Sequence, residues 1–149
     1  ISGGGLACPS VAEARAFFHG ARRSEDTIGR QLAEMHAAGR RVAVWGGTGK
    51  AAAFIQRYRV DAERFPVVVD DDLNKVDTFV PGTGQRIRFR DWLKEQPADV
   101  IIIPAQWRAA DIVAAMEKSG ITAPSILIEH GGRLIDFRRD AHPYGRPTR

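Results

Sequence analysis

The sequence predicts an α/β fold: a mostly parallel sheet between two layers of helices, preceded by N-terminal helices. Three observations carry this. Residues 41–46, 66–70, 99–104 and 125–128 are apolar runs without alternation. Strands of that kind are buried on both faces, as in parallel sheets. Segments of helical periodicity separate them. The first run ends in a glycine-rich turn that opens a helix.

The elements follow in chain order. Ser10 and Glu13 have the spacing of a capping box, so a helix starts after Ser10. Val11, Ala14, Phe18 and Ala21 share one face of it. Ser24 is expected to cap a second helix, or a second half of the same one, with Glu25 and Asp26 favouring its N-terminal dipole. Ile28, Leu32 and Met35 form its apolar stripe, and Gly39 ends it. The first strand, 41–46, leads into a helix over 48–58 with Ala51, Phe54, Ile55 and Tyr58 on one side. The second strand is 66–70. An irregular stretch, 71–84, precedes the alternating segment 86–90 and a short helix over 91–96. The third strand, 99–104, a helix over 107–119 ended by Gly120, and the fourth strand, 125–128, complete the core.

The 149 residues suit one domain. Its expected parts are helices at 10–39, an α/β core at 40–132 and a basic tail at 133–149. With 44% apolar and 27% charged residues the composition is that of a folded globule. Cys8 is the single cysteine, which excludes a disulfide scaffold and a cysteine-rich zinc site. No apolar run reaches the ~20 residues of a membrane span. The start at Ile1, followed by Ser2 and three glycines, predicts a piece of a larger multidomain protein. It has none of the parts of an export signal, so a cytoplasmic setting is expected.

The net charge is +4, and its distribution matters more than its size. Residues 41–132 carry twelve basic and twelve acidic side chains. Residues 133–149 carry five arginines against Asp136 and Asp140. A nucleic-acid reader concentrates its basic patch on a folded face. A basic tail beside a neutral core, without any RNA- or DNA-binding motif, argues against nucleic acid as a partner.

The chemistry points to the glycine-rich turn. Gly47-Thr48-Gly49-Lys50-Ala51-Ala52 fits the G-x-G-x-x-G/A dinucleotide fingerprint, between a predicted strand and a predicted helix. Such glycines allow a tight turn and let helix amides approach a phosphate. Asp70 ends the next strand, where a ribose-binding carboxylate is expected. The architecture is therefore Rossmann-like. A Walker A loop is excluded, because Ala51 follows Lys50 and Val44 stands where that loop needs glycine.

The order of Val42-Ala43-Val44-Trp45-Gly46-Gly47-Thr48-Gly49-Lys50, Val67-Val68-Val69-Asp70, Asn74-Lys75, Phe79-Val80-Pro81-Gly82-Thr83-Gly84 and Asp99-Val100-Ile101-Ile102-Ile103 resembles the C-terminal domain of SAM-dependent sugar-nucleotide C-methyltransferases. The resemblance spans residues 25–130. It departs at Asn74-Lys75-Val76-Asp77-Thr78, where the family usually reads Asn-Lys-Gln-Gly-Lys. It implies a domain that helps to enclose a nucleotide-linked sugar. Those enzymes hold SAM and the catalytic groups in a central domain and carry a cysteine-rich zinc domain, so this chain is expected to hold no cofactor, catalytic residue or metal itself. Its expected partners are the sugar nucleotide and that methyltransferase domain. Candidate contacts with the nucleotide or sugar nucleotide are Gly46, Gly47, Thr48, Gly49, Lys50, Asp70, Lys75, Trp107 and His130.

Other readings stay open. A separate NAD(P)- or nucleotide-sugar-binding protein would use the same turn and Asp70. The sugar-binding domain of hexapeptide-repeat acyltransferases is also a small Rossmann-like unit with an acidic second strand end, but the Pro81-Gly82-Thr83-Gly84 loop argues against it. A dimerisation domain would use the apolar N-terminal helices, making a homo-oligomer. Asp70, Asp71 and Asp72 are read as a strand end and solvated turn before they are read as a magnesium site. Arg86, Arg88 and Arg90 share a face that is either solvated or grips a pyrophosphate. Trp45 is expected in the core and Trp92 against the sheet. Trp107 either packs a helix on the sheet or stacks a base. His130 follows the last strand as a loop residue or a general base.

Overall fold

In the computed structural model, residues 10–145 are described. Cys8, the chain start at Ile1, and Arg146, Pro147 and Arg149 of the basic tail lie outside them. Helix α1 runs Val11–Ala37, strand β1 Val42–Trp45, helix α2 Lys50–Arg57, strand β2 Val67–Asp70 and strand β3 Ile87–Phe89. Then follow helix α3 Trp92–Glu95, strand β4 Val100–Ile102, a 3-10 turn Gln106–Arg108, helix α4 Ala109–Ser119, strand β5 Ser125–His130 and strand β6 Arg133–Asp136. The strands form one sheet in the order β3-β2-β1-β4-β5-β6. Every pairing is parallel except β5 with β6.

Alternate residues of the central strands enter opposite cores. Val42 and Val44 face Ile28, Leu32 and Met35 of α1 and Phe54, Ile55 and Tyr58 of α2. Ala43 and Trp45 face Leu93 of α3 and Ile112, Val113 and Met116 of α4. Both faces of β1 and β4 are thus dry, which explains their unbroken apolar sequence. The α/β sandwich expected from sequence is the observed architecture. Among the described residues no helix is long and apolar enough to cross a membrane.

Three local expectations are corrected. Of the two readings of the N-terminal region, two helices or two halves of one, the second holds, as one continuous helix of 27 residues, but without a cap between the halves. Ser10 caps it as predicted, accepting from the Glu13 amide at 3.1 Å while Glu13 accepts from the Ser10 amide at 2.7 Å. Ser24 is not a cap. Its hydroxyl donates to the Gly20 carbonyl within the helix, at 3.0 Å. The apolar face read at Val11 and Phe18 is exposed; burial in α1 begins only at Ile28.

The third correction concerns the tail. Residues 133–136 are β6, not a solvated tail. Leu134 and Ile135 are buried, one in each core. His130 pairs with Arg133 across a two-residue turn in which Gly131 and Gly132 have φ of +61° and +76°. That turn type needs positive φ at both positions, which Gly-Gly supplies without steric cost. Gln31 fastens α1 to the new edge, donating to the Leu134 carbonyl at 2.9 Å and accepting from its amide at 2.8 Å.

The irregular stretch before β3 is closed by a bridge between Phe79 and Arg86. Gln85 anchors it from inside. This side chain is only 2% exposed. Its amide nitrogen donates to the carbonyls of Val60 (2.6 Å) and Phe65 (3.2 Å), and its oxygen accepts from the Thr83 hydroxyl. Truncation would strand two buried carbonyls. Gln85→Ala is therefore expected to cost about 2–3 kcal/mol, seen as a lower urea midpoint with an unchanged m value.

Candidate functional site

The fold brings the ends of β1, β2 and β4 to one rim, the place where parallel α/β sheets bind ligands. At β1 the chain turns sharply into α2. Gly46 has φ of +102°, and its amide donates to the Val69 carbonyl at 2.6 Å, tying the turn to β2. Gly47 is needed for a different reason. A Cβ there would stand 2.4 Å from Cδ1 of Ile87 and 3.2 Å from Cγ1 of Val68. Gly49 caps α2 with φ of +56° and open space around it. The carbonyls of Thr48 and Gly49 accept from the amides of Ala51 (3.2 Å) and Ala53 (3.0 Å), so α2 starts immediately at the rim.

A cleft of about 200 Å3 opens there. Of the residues singled out from sequence, Gly46, Thr48, Gly49, Lys50, Asp70, Lys75 and Trp107 line it. Gly47 does not; it is the packing residue beneath. His130 does not either. It ends β5, half-buried, with its ring edge-on to Tyr144 at 5.9 Å. Trp107 packs no helix on the sheet, being 57% exposed on the 3-10 turn after β4. Trp45 is buried in the core, and Trp92 packs against the α4 side of the sheet.

Arg108, beside Trp107, also lines the cleft and escaped the sequence reading. The signal was present: it lies six residues beyond the end of β4, on the rim where that strand delivers its loop. Lys50, Lys75 and Arg108 thus share the opening with Asp70 and Asp71, and Lys75 pairs with Asp72 at 3.9 Å. Arg86, Arg88 and Arg90 are used elsewhere. Arg86 is bound to Asp77 at 2.7 Å, Arg88 lies over the Trp92 ring at 4.9 Å, and Arg90 lies over Phe89 at 5.6 Å.

Asp70 is the buried acid of the site, 5% exposed. Burial pushes its carboxyl above the ordinary aspartate value, and neighbouring Asp71 adds to the rise. The Asp72 amide, donating to Asp70 Oδ1 at 2.9 Å, and the charge of Lys75 pull the other way. The acidic run fans out along a turn: Asp72 Oδ1 in turn accepts from the Asn74 amide at 2.9 Å. Among the described residues, no three His, Cys, Asp or Glu side chains are placed to hold a metal ion.

The model of one protein family, described as the C-methyltransferase C-terminal domain, matches residues 7–135. No curated protein matches the chain.

Two outcomes separate packing from charge in this site. Gly47→Ala is expected to destabilise the fold by about 1–3 kcal/mol through overpacking against Ile87, read by chemical denaturation. For Asp70 the sign follows from its raised pKa. The folded chain holds that proton more tightly than the unfolded one, so the contribution is present at low pH and lost as pH rises through the folded value. Asp70→Asn is uncharged at every pH and keeps an acceptor for the Asp72 amide. Its stability should gain on wild type as pH rises from the ordinary aspartate value, about 4, through the raised folded value, and level off above it. Urea midpoints across that range check this, and a constant difference would assign the titration elsewhere.

Proposed function

This chain belongs to the C-methyltransferase C-terminal domain family, and from that membership we propose that it binds a nucleotide-linked sugar for a SAM-dependent C-methyltransferase. The observation that carries the reading is the convergence of the Gly46–Lys50 turn, Lys50, Arg108 and Trp107 on one rim. The diphosphate lies against the first turn of α2, where helix amides and the Lys50 ammonium favour an anion. Arg108 offers a planar fork to the same oxygens. Asp70 accepts from a ribose hydroxyl, and Trp107 offers an exposed ring to the base.

Size and charge support this division of labour. The cleft's 200 Å3 is below the ~300–1,000 Å3 of complete small-molecule sites. The rim is thus one wall of a site that a methyltransferase domain closes. SAM is a sulfonium cation, and three side-chain cations around this opening suit a diphosphate better than a second positive charge. The methyl donor is held by the methyltransferase domain, and the acceptor is a carbon of the sugar, in the manner of a 4-keto deoxysugar. The exposed side of α1 at Val11, Phe17 and Phe18 is the face on which that domain docks. The setting is the cytoplasm.

Titration with a panel of nucleoside-diphosphate sugars should quench fluorescence from Trp107, a signal absent in Trp107→Phe. Lys50→Ala should weaken binding about tenfold, the loss of one charge-assisted contact. SAM should leave the signal unchanged. Tight SAM binding to this chain, or NADH binding in preference to every sugar nucleotide, would overturn the assignment.

A further inference from the structure

A second cleft lies away from the rim just described, between α1 and the β5–β6 turn. Its volume is about 570 Å3, within the range of small-molecule sites. It shares no lining residue with the first. We propose that it binds a phosphate-bearing small molecule with hydroxyl groups, such as a sugar phosphate, through Arg23, Arg57 and Arg133.

The three arginines reach the cleft from three elements: α1, the last turn of α2 and the first residue of β6. Some exposed guanidinium groups of the chain sit on carboxylates, as Arg64 does on Asp61 and Arg86 on Asp77, both at 2.7 Å. In this cleft the pairing is looser. Among the described residues Arg23 and Arg133 make no ion pair, and Arg57 reaches Glu25 only at 3.7 Å. Three guanidinium groups outnumber the two carboxylates beside them, Glu25 and Glu129, and an oxyanion accepting from several of them balances the excess. Tetrahedral phosphate offers enough acceptors for three such donors.

The rest of the lining mixes apolar side chains, Ala16, Phe17 and Ala21, with polar ones. Ser24 and Thr27 add hydroxyls from α1. The base is closed where α1 touches the turn: a Cβ on Gly132 would lie 2.6 Å from the Ser24 hydroxyl oxygen. Gly132 is the residue that lets the helix come so near, since a Cβ on Gly131 would meet open space. Glu129 is the one carboxylate in the lining. The Tyr58 hydroxyl donates to its Oε1 at 2.8 Å, fixing the group and leaving Oε2 as acceptor for a ligand hydroxyl. Burial and the Glu129 charge push the Tyr58 hydroxyl far above its ordinary pKa, so it stays a donor. Guanidinium groups for phosphate beside a held carboxylate for hydroxyl define the ligand class.

Backbone and arginine Nε–H resonances, followed while inorganic phosphate or glucose 6-phosphate is added, test this. Saturating shifts at Ser24, Thr27, Gly131 and Gly132 are expected, with millimolar or tighter affinity and glucose 6-phosphate ahead of phosphate. Arg23→Gln with Arg133→Gln, both exposed and so expected to fold, should weaken this binding at least ~tenfold. Lys50→Ala should leave it unchanged. Shifts confined to 46–50, wild-type affinity in a folded double variant, or displacement of phosphate by a glutamate-rich peptide at equal concentration would overturn the proposal. The last outcome would make the cleft a seat for an acidic protein segment.

Discussion

Ile87 and Val68 fill the space where a side chain on Gly47 would be. Much else depends on that contact. It lets the β1–α2 turn lie directly on β2 and β3, so that α2 starts at the sheet's rim and not above it. It places Lys50 and the first turn of α2 beside the end of β2, with Asp70 under them. It also requires β3 in its place. Ile87 is there because β3 pairs with β2 in register from Val68–Ile87 to Asp70–Phe89. The loop that delivers β3 is pinned by Gln85 to the α2–β2 connection. A buried amide that does not line the cleft therefore helps to set the position of the glycine beneath it.

The electrostatics divide in a similar way. The chain's positive excess is not spread evenly over its surface. Several arginines are neutralised locally, by Asp61, Asp77 or an aromatic face. Two openings each gather three cations, Lys50, Lys75 and Arg108 at one, and Arg23, Arg57 and Arg133 at the other. Each group stands beside a carboxylate held by a hydrogen bond, Asp70 by the Asp72 amide and Glu129 by Tyr58. Cations for an oxyanion next to a fixed acceptor is an arrangement suited to a ligand that carries both phosphate and hydroxyl groups.

What was legible in the sequence follows the degree of burial. β1, β2 and β4 were plain because they are buried along nearly their whole length, whereas β5 alternates buried with half-buried residues and was carried by Ile126, Leu127 and Ile128. The G-x-G-x-x-A turn was plain because its geometry tolerates few alternatives. β6 was missed for the opposite reason. Its Arg133 and Asp136 ends are polar, and only Leu134 and Ile135 enter the cores. The Gly131-Gly132 pair before it is a recognised two-residue hairpin signal, overlooked because the arginines nearby suggested a tail. Arg108 was missed because one residue type on a loop carries no periodicity; only the position of β4 reveals where that loop points. The cap expected at Ser24 rested on that serine and two acids, a pattern that fits a cap but is equally at home mid-helix when the serine bonds back to Gly20.

α1 shows how the same periodicity can serve two surfaces. Ile28, Leu32 and Met35 are buried against the sheet, whereas nothing in the preceding seventeen residues of the helix is. A helix segment without tertiary packing is marginal in water, and the Ser10–Glu13 capping box offsets only part of that. Yet Val11, Phe17 and Phe18 remain 71%, 74% and 67% exposed. Phe17 and Phe18 meet edge to face at 6.1 Å, and Phe17 overhangs the arginine-lined cleft. Aromatic rings at an exposed helix end add nothing to the domain's own two cores. A methyltransferase domain docked there would bury the rings and lengthen the packed part of α1. It would also place a second wall near both openings, joining the stability of the helix to the completion of the binding site.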